Sequence, residues 1–272
     1  MIALVTDSAS MLPDAVRDRY RIGVVPVTVT VDGRDHLEGV DLTADEFYDR
    51  VAAGATVATA APAPGRFLDA YGAARRAGAD AVVSIHTGSG YSATAASATV
   101  AAGLADLPVH VLDTGAASFP VALATMAAAE AAATGAPVGQ VLTAAQWTLD
   151  GIGSLFVVGL PALAHRGGRF TSLDGTLTST TVLRLDGPTL SVHTEAADVD
   201  DAIEIIVAAT RARAAAGALR VGIGHAALPA VAATLHERLA GDSRIECIPY
   251  VVGPSVGAHT GPGTFGVVWA PQ

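Results

Sequence analysis

The groups in this chain that could do chemistry are hydroxyls, arginines and a histidine, gathered in five short polar motifs. They are Asp7-Ser8-Ala9-Ser10, Thr59-Ala60-Ala61-Pro62, Tyr91-Ser92-Ala93-Thr94, Arg166-Gly167-Gly168-Arg169 and His259-Thr260-Gly261-Pro262-Gly263. Each stands where an apolar segment gives way to a Gly/Pro-rich or helix-starting one. That is where loops at one edge of an α/β sheet converge on a ligand. Free backbone N–H groups at a helix start bind anions, and a cap hydroxyl adds a donor. The chemistry on offer is therefore the holding of a carboxylate or phosphate.

Each motif also has a plain structural reading. Ser92 follows the strand-like Ala81–Ile85 and the turn His86-Thr87-Gly88-Ser89-Gly90. It is either a ligand donor or simply the N-cap of the next helix. Thr59 opens a stretch that is extended because residues before proline avoid the α region. Its hydroxyl faces a ligand, or the stretch is an ordinary approach to a helix. The glycines at 167 and 168 end a helix and let backbone come close to a ligand; Arg169 is a ligand contact or an ion-pair partner. His259 and Thr260 lie in a tight Gly257–Gly263 loop before the strand Phe265–Trp269, where a histidine is either a contact or a satisfied structural group.

Other chemistries fit less well. Ser92, His259 and Asp7 are the parts of a serine hydrolase, but no Gly-x-Ser-x-Gly surrounds Ser92. Gly88-Ser89-Gly90 lacks the third glycine of a dinucleotide fingerprint, with Ala93 in its place. No His-Glu-x-x-His and no cysteine pair suggests a metal site. All 16 basic residues are arginine, so Schiff-base and Walker-type lysines are excluded. A net charge of −10 argues against nucleic acid and against anionic lipid surfaces.

The positioning elements read as follows. Apolar strands at Ile2–Val5, Ile22–Val31, Ala81–Ile85 and Val109–Leu112 alternate with helices after Leu12-Pro13 and over Ala44–Ala53, Pro64–Ala77, Ser92–Leu104, Val121–Ala133 and Val138–Leu149. This alternation predicts a parallel, Rossmann-like α/β sheet with right-handed crossovers, and Ser154–Val158 reads as its last strand. Thr171–Thr194 reads as β ribbons. Helix Val199–Ala216, strand Arg220–Gly224, helix Pro229–Leu239 and strand Ile245–Val252 complete a smaller second α/β domain. With 272 residues two domains are expected, and the division is placed at 1–155 and 156–272.

Hydrophobic residues make up 51% of the chain but aromatics only 5%, so its core is built of small aliphatics that leave room for a slender apolar ligand. Cys247, the single cysteine, lies in an apolar run and reads as core; no internal disulfide can form, which fits a reducing compartment. The N-terminus runs straight into a strand rather than a signal peptide. Val121–Ala133, the longest apolar stretch, is too short to span a membrane. A cytoplasmic protein without an integral membrane segment is expected, despite a mean hydropathy of +0.44.

Taken in order, the five motifs resemble those of the DegV family over essentially the whole chain, from Asp7 to Gly263. The resemblance implies two α/β domains with a lipid channel and no catalytic centre, metal or cofactor. It implies a bound long-chain fatty acid whose carboxylate is held by Thr59 and Ser92, with Arg169 and His259 at the polar mouth and Ala60, Thr94 and Thr260 beside them. It further implies a carrier that presents the acid to a separate ATP-dependent fatty acid kinase. The chain departs from the family pattern where Ala60 and Ala93 replace Ser and Gly, where Ala95 replaces an aromatic, and where His193-Thr194 replaces a basic residue. A serine-dependent lipid esterase or acyl transferase using Ser92 and His259 is the enzymatic alternative. A regulator that senses lipid is a third reading.

Overall fold

A computed structural model describes residues 1–166, 177–186 and 189–272. By their internal contacts they form two units, Met1–Leu42 with Ala58–Asp150 and Thr43–Val57 with Gly151–Gln272. The fold is mixed α/β, with one parallel sheet and two further sheets.

The parallel sheet of the first unit has four strands: β1 (Ile2–Asp7), β2 (Gly23–Val25), β6 (Ala81–His86) and β7 (Val109–Asp113), in the order β2-β1-β6-β7. Both faces are covered, which is why the strands read as near-continuous apolar runs. On one face Leu4, Val83 and Ile85 pack against α5 (Phe119–Ala133) and α6 (Val138–Asp150). On the other, Val5, Val25 and Val82 pack against α3 (Pro64–Arg76) and α4 (Thr94–Ala102), around the buried rings of Phe67 and Tyr71. Helix α5 is apolar on every side and is buried along most of its length, as such helices must be. Each fully buried aliphatic or aromatic side chain contributes about 1.5–3 kcal/mol.

The chain from Ile22 to Val31, read as one strand from sequence, is two. Pro26 has no N–H to give to a ladder, and the next amide, Val27, donates to the Ser8 hydroxyl at 2.9 Å instead. Beyond the break, β3 (Thr28–Val31) forms a hairpin with β4 (Arg34–Leu37) through Asp32 and Gly33, both at positive φ. Asp-Gly is a strong hairpin signal. β5 (Val57–Ala60) completes this three-stranded sheet in the order β4-β3-β5.

In the second unit six strands run in the order β10-β9-β8-β13-β11-β12. They are β8 (Gly153–Val157), β9 (Thr181–Asp186), β10 (Thr189–Glu195), β11 (Leu219–His225), β12 (Ile245–Val251) and β13 (Phe265–Pro271). Only β11 and β12 pair in parallel. β8 is thus not the last strand of the parallel sheet: it pairs antiparallel with β9 and β13. A short apolar strand shows its burial in its sequence but not its partner. Helices α8 (Val199–Ala214) and α9 (Pro229–Leu239) pack on this sheet, and α2 (Ala44–Ala52) and α7 (Pro161–Arg166) belong to the same unit.

The Gly257–Gly263 loop expected from sequence is for the most part a helix, α10 (Pro254–Thr260). Pro254 occupies its first turn, where a missing N–H is harmless, and Gly261 ends it at φ 77°. Gly257 is required for packing, since a Cβ there would lie 2.5 Å from the Tyr48 hydroxyl. That hydroxyl donates to the Val252 carbonyl at 2.7 Å, linking α2 to the end of β12. No described helix is long and apolar enough to cross a membrane.

Two stability measurements follow. Thr43 and Glu46 form a reciprocal capping box at the start of α2, so Thr43→Ala is expected to lower the unfolding free energy by about 1 kcal/mol in urea titration. Thr6 is fully buried on β1 and its hydroxyl oxygen has no hydrogen-bond partner. Thr6→Val removes that uncompensated group in nearly the same shape, and is expected to raise stability by about 1 kcal/mol, read as a higher urea midpoint at unchanged slope.

Candidate functional site

The strand order of the first unit fixes where polar loops converge. From β1 the chain crosses to β2 on one side; from β6 it crosses to β7 on the other. The order reverses between β1 and β6, and ligands of open α/β sheets sit beyond the carboxyl ends of the strands at such a switch point. The carboxyl ends here carry Asp7-Ser8 and His86-Thr87, followed by the loop to Ser92.

A buried polar chain underlies that edge. Ser84 and His86 alternate with Val83 and Ile85 on β6 and so share the face of the sheet that carries Phe67 and Tyr71. Asp7 ends the neighbouring strand. The His86 ring donates from Nδ1 to Asp7 Oδ2 at 3.0 Å, because an ionised carboxylate can only accept. The other ring nitrogen, Nε2, lies 2.6 Å from the Ser84 hydroxyl and is hydrogen-bonded to it. The Tyr71 hydroxyl pairs with Ser84 Oγ at 2.9 Å and lies 3.5 Å from the Ala98 carbonyl, to which it can donate. Burial pushes the Tyr71 phenol above its ordinary pKa, and the Ser84 bond partly offsets this. Thr87 gives Asp7 two further bonds, from its amide to Oδ2 and from its hydroxyl to Oδ1, each 3.0 Å. Asp7, Ser84 and His86 are all 0% exposed. Phe67 meets the His86 ring edge-on, 5.0 Å between centroids.

The loop beyond Thr87 is held from its other side by β7. The amides of Ser89 and Gly115 both donate to Asp113 Oδ1 at 3.1 Å. Burial works to raise the Asp113 pKa, but donation from the Ser89 side chain and from those two amides leaves it below the usual carboxylate value. The Gly88 amide donates to the Ala116 carbonyl at 2.7 Å. Gly88 lies so close to Gly115 that a Cβ would fall 2.5 Å from its Cα, and only glycine fits. The Gly88 carbonyl then accepts from the amides of Tyr91 and Ser92, at 2.9 and 3.1 Å.

Ser92 stands two residues before α4, which begins at Thr94 with Ala93 as its N-cap. The helix therefore starts slightly later than sequence suggests. The Ser92 hydroxyl still accepts from the Thr94 amide at 3.3 Å, and it pairs with the Thr94 hydroxyl at 2.7 Å. Ser92 is half-buried and Thr94 is buried, so one hydroxyl pair sits at the edge of the switch point. Thr59 and Ala60 lie on strand β5, not in a loop; Thr59 is half-buried and Ala60 exposed.

His259 and Thr260 occupy the last turn of α10 in the second unit. His259 is half-buried, and the Thr260 carbonyl accepts from the Leu160 amide and from the Thr264 hydroxyl, each at 3.0 Å. Nearby, His225 ends β11. Its Nδ1 accepts from the Leu228 amide at 3.2 Å, and burial holds its pKa below the ordinary value against the opposing pull of Asp45. Arg169 lies outside the described residues. Both Asp7 oxygens are taken within the first unit, by His86 and Thr87.

His86, Ser84 and Tyr71 are not among the site residues expected from sequence. The available signal was local, two polar residues at alternate positions in an apolar strand. Their partner Asp7 lies 79 residues from His86, and no spacing rule connects them.

Comparison with known proteins completes the assignment. The family described as "Uncharacterised protein, DegV family" matches residues 1–272. A DegV domain-containing protein of Streptomyces coelicolor is 31% identical over 275 residues, covering 98% of this chain and 97% of that protein. A solved DegV family protein of Thermus thermophilus, described by its fatty acid binding, is similar at a TM-score of 0.89 and 29% identity, over 100% of this chain and 99% of that one. The Bacillus subtilis DegV structure, described as a fatty acid binding protein, is similar at 0.89 and 26% identity with the same coverage. On its full length, from the first strand to the last, the chain belongs to the DegV family.

Proposed function

We propose that this protein binds a long-chain fatty acid in a buried apolar channel and holds the carboxylate with the hydroxyls of Thr59 and Ser92. Arg169, His259, Ala60, Thr94 and Thr260 are the further positions this reading assigns to the ligand. The observation that carries it is the full-length likeness to two solved proteins described as binding fatty acids. The Ser92–Thr94 hydroxyl pair beyond the switch point supports it, being an uncharged donor group suited to a carboxylate.

The energetics divide between tail and head. Burying each CH₂ is worth roughly 0.8 kcal/mol, so a chain of about 16 carbons offers on the order of 10 kcal/mol before association costs. Hydroxyl donors add little affinity and fix the orientation of the head group. Such a site needs no base and no nucleophile.

The proposal extends to a cytoplasmic carrier that presents its acid to a separate ATP-dependent acyl kinase. A chain without lysine or a Walker motif lacks the usual means of gripping ATP phosphates, so the phosphoryl chemistry is assigned to the partner.

Native mass spectrometry of the freshly purified protein, followed by lipid extraction, is expected to show one fatty acid per chain. Thr59→Ala combined with Ser92→Ala is expected to weaken that binding roughly tenfold to a hundredfold at unchanged melting temperature. An apo protein that stays apo after incubation with saturated and unsaturated long-chain acids, or a double variant of unaltered affinity, would sink the assignment.

A further inference from the structure

Ser84, His86 and Asp7 have the connectivity of a serine-hydrolase relay, with Ser Oγ 2.6 Å from one ring nitrogen and a carboxylate 3.0 Å from the other. They cannot work as one. All three are 0% exposed, Ser84 lies within a central strand, and its oxygen is already engaged by Tyr71. The relay is closed at both ends, by Tyr71 beside Ser84 and by Thr87 beside Asp7. A group of this kind, buried and fully satisfied, acts on the geometry of what it is bonded to.

What it is bonded to is the base of the Ser92 loop. Of the donors to Asp7, two come from Thr87, the first residue beyond β6. Thr87 sets the direction of Gly88. The Gly88 carbonyl in turn receives the Tyr91 and Ser92 amides. From the other side, Asp113 and Ala116 hold Ser89 and Gly88. We propose that Asp7 and His86 are positioning residues: through Thr87 they hold the loop from Gly88 to Ser92 in the one conformation that aims the Ser92 hydroxyl at an incoming carboxylate. The role assigned to Ser92 rests on the fatty-acid reading above; the control of loop geometry does not.

The same arrangement accounts for polar groups in the middle of an otherwise apolar strand. Ser84 fixes the His86 ring from Nε2, Tyr71 fixes Ser84, and the His86 and Phe67 rings pack in a T-shaped pair. With the ring held on every side, Asp7 has one orientation left in which both of its oxygens are bonded. Aliphatic residues at 84 and 86 would pack as well but would leave the Asp7 carboxylate with Thr87 alone.

The test uses the full chain with Asp7→Asn and the milder, nearly isosteric Thr87→Val, which removes only the hydroxyl bond to Asp7. Amide hydrogen exchange of folded protein is read at Ser89, Tyr91 and Ser92, with Val83 and Ile85 in β6 as internal references. Exchange at the three loop amides is expected to quicken about tenfold or more in each variant while the references hold. Affinity is read by displacement of a fluorescent long-chain fatty acid. Thr87→Val is expected to weaken it about fivefold in the parent chain and to have no effect in a Ser92→Ala background, since residues acting through one another are not additive.

Unchanged loop exchange, or loop and reference amides quickening together, would overturn the proposal. So would an equal loss of affinity in both backgrounds, because Thr87 would then be acting independently of Ser92. A fluorophosphonate is expected to leave Ser84 unmodified in the folded protein; its reaction there would replace positioning with catalysis. A parent chain without any fatty-acid affinity would refute the proposed function instead, and the exchange arm alone would then decide the control of the loop.

Discussion

A carboxylate with no access to water governs the first unit. Removing an ion from water costs several kcal/mol unless its oxygens are met by donors. Asp7 is 0% exposed, and the donors it needs come from the adjoining strand and the residue after it. The requirement ties the carboxyl end of β1 to that of β6 at the point where the strand order reverses. It commits Ser84, His86 and Tyr71 to polar roles in a region otherwise filled by Val and Phe. The loop to Ser92 inherits its starting direction from those bonds.

Small residues do complementary work. Gly88 and Gly115 let two loop backbones touch, so that the β6 and β7 ends form one braced edge. Ala95, Ala98 and Ala101 bury the inner face of α4 without large side chains, and α5 is buried through alanine along much of its length. Alanine costs no side-chain entropy in a helix. The price is fewer dispersion contacts per residue, offset by a few large buried rings such as Phe47, Phe67, Tyr71 and Phe119.

Much of the architecture was legible. The apolar runs ending in Thr-Asp or Leu-Asp and the amphipathic or alanine-rich helices between them identify a parallel α/β sheet, because both patterns follow from local periodicity. The helix read over Ala44–Ala53 is found as α2, Ala44–Ala52, for the same local reason. Errors arose where one residue's backbone chemistry outweighed the pattern. Pro26 divides an unbroken Val-rich run, Asp32-Gly33 turns it back, and Pro254 with Gly261 makes a helix of what reads as a Gly/Pro loop.

The sequence by itself determined the types of most elements of the first unit's parallel sheet and its helices, the clustering of hydroxyls and glycines near strand ends, and the motif order that marks the family. It did so because these depend on residues within a few positions of one another. Only the tertiary structure decided which strand each strand pairs with, that Thr43–Val57 packs with the second unit, that β8 joins an antiparallel neighbourhood, and that Asp7 meets His86 across 79 residues. Those outcomes depend on long-range burial and on satisfying groups cut off from water, and neither leaves a periodic trace along the chain.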